Sequence, residues 1–171
     1  MEFKFKPMSK KYAMDMIINW KYEGEYSIYN YENEKEHILD SDSWGIGLFA
    51  VLNEKEELIG ELTIEFFDEK DEFVENKDLE SKKDESLEIW IGFGLKPDLT
   101  GKGLGSDFVC ACTEFAKKKH RYEGKYIRLG VAEFNKRAIK TYKKVGFERF
   151  QTYESEIDGK NTDIIWMRKE L

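Results

Sequence analysis

Cysteine is scarce in this chain, with Cys110 and Cys112 the only two. At a spacing of i, i+2 they point to different faces of a helix, which argues against a disulfide framework, a zinc site and a thioredoxin-like pair. No metal is expected. Long apolar runs are missing too: nothing approaches the ~20 residues of a membrane-spanning helix. The start, Met1-Glu2-Phe3-Lys4-Phe5-Lys6, alternates like a strand and lacks the apolar core of a signal peptide. A soluble cytoplasmic protein without a membrane partner is the expectation. Basic residues are outnumbered, 28 against 35 acidic ones, for a net charge of −7. That balance argues against a nucleic-acid partner and for admitting a cationic amine. No internal repeat is visible.

What is present is enough apolar material for a core. With 171 residues and 40% hydrophobic content, the chain is expected to form one domain, 1–171. Its most informative stretch is residues 95–105, Leu-Lys-Pro-Asp-Leu-Thr-Gly-Lys-Gly-Leu-Gly, between an apolar strand-like run and a helical pattern. Gly101, Gly103 and Gly105 can turn successive amides inward around an anion. Leu104, Phe108, Ala111, Cys112 and Phe115 then recur at helical spacing, so the loop opens a helix whose first N–H groups favour phosphate. A nucleotide P-loop is excluded, because Lys102 is followed by Gly103 and no glycine stands five positions before Gly101. A Rossmann loop is excluded by the spacing G-x-G-x-G and its place deep in the chain. A glycine-rich turn without a ligand is the remaining alternative.

A second segment decides between them. In residues 131–147, Asn135 suits a helix N-cap, Ala138, Ile139, Tyr142 and Val145 form one stripe, and Gly146 suits the C′ position. Taken together, the loop at 100–105 and Asn135-x-x-Ala138-x-x-x-Tyr142-x-x-x-Gly146-Phe147 resemble the two motifs of the GCN5-related N-acetyltransferase (GNAT) superfamily, in order and spacing. The resemblance is strongest from about Leu87 to Phe147. Thr100 departs from it, standing where the family usually has Arg or Gln.

The resemblance implies a mixed α/β fold (α+β) with a mostly antiparallel, splayed sheet of about seven strands flanked by about four helices. It implies acetyl-CoA as co-substrate. The backbone of Phe93, Gly94 and Leu95 would hold the pantetheine arm, and Gly101, Lys102, Gly103, Leu104, Gly105 and Ser106 would wrap the pyrophosphate. Asn135 would also contact CoA. The acceptor, a small-molecule or peptide amine, would lie against the segment after the first helix, where Trp20, Tyr22, Tyr26, Tyr29 and Tyr31 crowd together. Family members often pair through terminal strands, so a homodimer is an expectation.

Acyl transfer from a thioester to an amine by direct attack needs an oxyanion donor, an acid and a base. The Leu95 amide fits the first role and Tyr142 the second. The family's N-terminal acetylases place a glutamate where this chain has Gly130. Glu88 alternates with Leu87 and Ile89 and could reach the cleft as a base; Glu61 and Glu65 are further candidates, and a water relay is the alternative. A non-catalytic acyl-CoA sensor is the competing class, which Tyr142 argues against.

The element pattern reads as strands at 2–6, 44–53, 57–67, 87–95, 126–133, 148–157 and 162–169. Helices are expected at 9–20, 33–39, 103–119 and 135–145. Hairpin turns are expected at 53–56 and 158–161, and the acidic segment 68–86 reads as a solvated loop.

Overall fold

Residues 1–82, 86–157 and 159–171 are described by the computed structural model. The strands are β1 (Lys4–Pro7), β2 (Leu48–Leu52), β3 (Leu58–Phe67), β4 (Phe73–Val74), β5 (Glu88–Leu95), β6 (Tyr126–Ala132), β7 (Glu148–Ile157) and β8 (Lys160–Glu170). The α-helices are α1 (Lys10–Asn19), α2 (Lys35–Ile38), α3 (Gly105–Lys119) and α4 (Lys136–Lys144). One mostly antiparallel sheet runs β1-β2-β3-β5-β6-β8-β7, with β4 pairing β3 off that path.

Each face of the sheet has its own core. Phe49 and Val51 of β2 meet Phe108, Cys112 and Ala116 of α3, whereas Leu48 and Ala50 meet Ala13, Met16 and Ile17 of α1. Strand β2 is therefore buried on both faces and carries a continuous apolar run, Leu-Phe-Ala-Val-Leu. Ser9 caps α1 by accepting from the Tyr12 N–H, and Asn135 caps α4 by accepting from the Ala138 N–H at 3.1 Å.

The last turn of α4 closes as a Schellman motif. The Phe147 N–H donates to the Tyr142 carbonyl (3.0 Å), and the N–H of Gly146, at φ +97°, donates to that of Lys143 (3.1 Å). Tyr142 is thereby tied into a helix end whose exit direction is set.

An additional strand lies inside the acidic segment read as a solvated loop. Val74 and Phe73 pair with Phe66 and Phe67, Val74 is buried, and the Phe73 ring meets that of Phe67 at 5.8 Å. Part of that segment, 83–85, lies outside the described residues, as does Asp158 of the expected second hairpin turn. At the first turn, the Asn53 side chain accepts from the N–H groups of Lys55 (2.9 Å) and Glu57 (3.0 Å).

Strands β5 and β6 run parallel, and among the described residues they pair only at Ile89–Ile127 and Trp90–Arg128. Beyond that point they part. Strand β5 stays paired with β3 as far as Leu95–Gly60, and β6 with β8 as far as Ala132–Ile164. A wedge is thus left open in the middle of an otherwise continuous sheet.

Candidate active site

The wedge opens a cavity of about 920 Å³. Its inner edge is main chain. The Lys96 N–H donates to the Ile59 carbonyl (2.9 Å), which makes Leu95 and Gly60 a non-hydrogen-bonded pair. The N–H and C=O of Leu95, and by alternation those of Phe93, therefore turn away from β3 toward the gap. The Tyr22 hydroxyl donates to the Leu95 carbonyl at 2.8 Å, and the Leu95 N–H on the same edge faces the cavity.

At one end lies the glycine loop. Gly101 and Gly103 have φ of +73° and +83°, a backbone that a side chain resists. Gly105 instead begins α3, where an added Cβ would sit 3.2 Å from Thr141 of α4. Leu104 occupies the α3 N-cap and no side chain caps the helix, so its first-turn N–H groups point outward unclaimed by a cap. Arg137, Lys140 and Lys144 of α4 line this end, adding positive charge. Gly101, Gly103, Gly105 and Ser106 line it too; Lys102 and Leu104 are not among the described lining residues. The Thr100 hydroxyl is spent on the Pro97 carbonyl at 2.8 Å.

Tyr142 lies deeper, with its ring against Phe93 (5.9 Å) and Phe147 (6.0 Å). Among the described residues its hydroxyl has no hydrogen-bond partner, and burial holds the phenol above its usual range. Asn135 lines the cavity while its side-chain oxygen caps α4.

Residues 20–31 cross the cavity as a strap. Tyr22 fastens it to β5 through Leu95, and at the far side Tyr26 and Tyr29 meet the Phe134 ring at 6.0 and 6.1 Å. The Arg137 guanidinium lies 4.8 Å from the Tyr26 ring centre. Tyr22, Tyr26 and Tyr29 all line the cavity. The buried Tyr29 hydroxyl lies beside the Asn135 side chain and the Ala132 backbone without a hydrogen bond.

Trp20 and Glu88, also expected at the site, lie elsewhere. Trp20 is 1% exposed and packs against Tyr31 (5.9 Å) in the core beneath α1; the end of α1 turns its ring inward, so it is a core residue and no wall of the cleft. Glu88 sits on the closed part of β5, before the strands separate. Its carboxylate is 2.7 Å from Arg128 Nη2, and it is not among the described lining residues.

Strand β3 provides what Glu88 does not. Glu61, Thr63 and Glu65 project from one face of β3 into the cavity, opposite Gly94, Gly92 and Trp90 of β5. Both Glu61 oxygens accept a hydrogen bond, Oε2 from the Tyr31 hydroxyl (3.1 Å) and Oε1 from the Thr63 hydroxyl. His37 Nε2 lies 3.2 Å from that threonine oxygen. Burial pushes the Glu61 carboxyl up to about 8 and raises that of Glu65 as well. Glu34, three residues beyond the strap, joins this acidic wall. The sequence signal for it was a glutamate two residues from Ile59 in an apolar strand, which alternation alone assigns to either face.

Among the described residues no group of three or more His, Cys, Asp or Glu is placed to hold a metal ion. No described helix is long and apolar enough to cross a membrane.

The fold that carries this wedge is shared with proteins of known structure. A candidate phosphinothricin N-acetyltransferase of known structure superposes with a TM-score of 0.67 at 16% identity, covering 99% of each chain. A spermidine N-acetyltransferase chimera of Vibrio cholerae SpeG and hSSAT gives 0.68 at 18% identity, covering 99% of this chain and 96% of the other. The spermidine/spermine N-acetyltransferase SpeG from Vibrio cholerae, solved with manganese ions, gives 0.65 at 15%, covering 99% and 92%. These likenesses concern the fold. No curated protein sequence matches the chain. The acetyltransferase (GNAT) family profile, however, matches residues 11–147. The chain therefore belongs to the GNAT family and is an acetyl-CoA-dependent N-acetyltransferase of that class.

Proposed function

We propose that the wedge transfers the acetyl group of acetyl-CoA to a cationic primary amine by direct attack, with the donor along the glycine loop and the β5 edge and the acceptor against the acidic wall of β3. The main support is the Leu95 peptide, whose N–H and C=O face the gap because its strand partner bonds elsewhere. Acetyl-CoA supplies an activated acyl group. The residues that fit it are the loop from Gly101 to Ser106 with the uncapped first turn of α3 for the pyrophosphate, the β5 edge from Phe93 to Leu95 for the pantetheine arm, and Asn135 beside them.

The Leu95 N–H is the donor for charge developing on the thioester oxygen. It is held by the β3–β5 ladder and need not reorganise as that charge appears. Tyr142 serves as the acid for the departing sulfur. The burial that raises its phenol also disfavours a thiolate in the same place, so the transfer exchanges one penalised anion for another. Cys110 is exposed, Cys112 is buried, and neither is among the described lining residues, in keeping with transfer that needs no acyl-cysteine.

Glu34, Glu61 and Glu65 with the rings of Tyr22 and Trp90 suit an ammonium with apolar carbons behind it. A panel of polyamines, aminoglycosides, amino acids and N-terminal peptides with acetyl-CoA, read by release of free CoA thiol, tests this. Turnover of at least one cationic amine is expected, and inertness toward all of them with CoA still bound would overturn it.

A further inference from the structure

Glu61 stands apart from the rest of the acidic wall. It is 5% exposed, on a strand otherwise apolar toward the core, and Gly94 opposite it carries no side chain. An added Cβ on Gly94 would overlap the Tyr31 hydroxyl and lie 3.3 Å from Glu61 Oε2. The carboxylate therefore reaches the residue immediately before Leu95, where the thioester carbonyl is placed in the reading above.

We infer that Glu61 is the general base of the reaction, and that Thr63 and His37 carry its proton out to solvent; this rests on the acceptor reading just given.

One proton of the bound ammonium passes to the Glu61 carboxylate, breaking an N–H bond and forming an O–H bond. The neutral nitrogen then forms the C–N bond as the C–S bond breaks. Tyr142 protonates the sulfur and regains a proton from the acylated nitrogen, leaving amide and thiol. The proton on Glu61 leaves from Oε1 to the Thr63 oxygen as the threonine's own hydroxyl proton passes to His37 Nε2, which is at the surface. One ammonium and one thioester thus yield one amide, one thiol and one proton to solvent.

The groups facing Glu61 set its readiness. Thr63 and Tyr31 donate to it, Glu34 just beyond the strap and Glu65 on its own strand repel a charge there, and Cys112 of α3 lies behind it. With its carboxyl near 8, the anion is scarce in the resting cleft at neutral pH. An entering ammonium restores it by supplying the missing countercharge. Such a base is matched in strength to its task near neutral pH.

The test uses the full chain with acetyl-CoA and spermidine, or the best amine of the panel, over pH 6 to 10. Wild type should show an inflection in kcat/KM near 8. Glu61→Gln should lower kcat by about 100-fold or more and lose that inflection, with acetyl-CoA affinity unchanged. Glu61→Asp should recover part of the rate. Thr63→Val should lower kcat several-fold, about 3 to 10, without raising KM, a split that a packing role would not give. If Glu61→Gln folds and keeps both rate and inflection, the assignment is wrong while the acceptor reading stands. Should that variant fail to fold, an unchanged kcat in Thr63→Val and a Glu61 carboxyl titrating in its ordinary range by ¹³C NMR would overturn it. A wild type inert toward every amine removes both readings.

Discussion

The Tyr31 hydroxyl occupies the space that a side chain on Gly94 would need. From there it donates to Glu61 across the β3–β5 ladder at 3.1 Å. Gly94→Ala should expel Tyr31 from this place, break that hydrogen bond and overpack a buried wall. A loss of about 1–3 kcal/mol in denaturant stability is expected, together with a fall in amine turnover. An alanine variant as stable and active as wild type would contradict this geometry.

Tyr142→Phe keeps the ring between Phe93 and Phe147 and removes only the hydroxyl. Turnover should fall by about 100-fold or more, while acetyl-CoA affinity, measured by calorimetry, stays as it was. Equal losses in both would mark Tyr142 as a packing residue of the cleft.

Gly103 sits at φ +83° with no atom within 4 Å of where a Cβ would go. Gly103→Val therefore meets backbone strain, about 1–2 kcal/mol, without a clash in the protein itself. Its isopropyl group stands instead where phosphate oxygens must approach the loop amides. Acetyl-CoA binding should be lost while the variant remains folded by circular dichroism. Retained affinity would remove the loop from the phosphate site.

The Glu61 carboxyl, ordinarily near 4.5, is pushed up to about 8 by burial. The folded chain thus holds this proton more tightly than the unfolded chain does. In the window from about 4.5 to about 8 the unfolded chain has released it and the folded chain has not. The contribution of this group to stability is full below that window, falls as pH rises through it, and is gone above it. Urea denaturation at stepped pH should show wild type losing stability relative to Glu61→Gln across this range. A constant difference between the two would refute the raised carboxyl.

Much of the candidate site's local geometry was legible because it is set within a few residues. Gly101, Gly103, Asn135, Tyr142 and Gly146 take their places from their own backbone or their own helix turn, so their spacing along the chain carries their geometry. Trp20 and Glu88 misled for the opposite reason. An aromatic after α1 faces either cleft or core according to how the chain turns at the helix end, and Trp20 turned inward. Strand alternation placed Glu88 on the face that bears Trp90, but could not say that Arg128 of a strand forty residues away would claim it before the wedge opens.

By itself, then, the sequence determined the order of the elements, the glycine loop opening α3, the capped α4 with Tyr142 in its last turn, and the family. These depend on backbone preferences and helical periodicity that act within a few residues. Tertiary structure alone decided where β5 and β6 part, which main-chain groups of β5 are left facing the gap, and which glutamate lies beside them. Those outcomes depend on pairing between strands distant in sequence and on burial, and burial is a property of the assembled sheet.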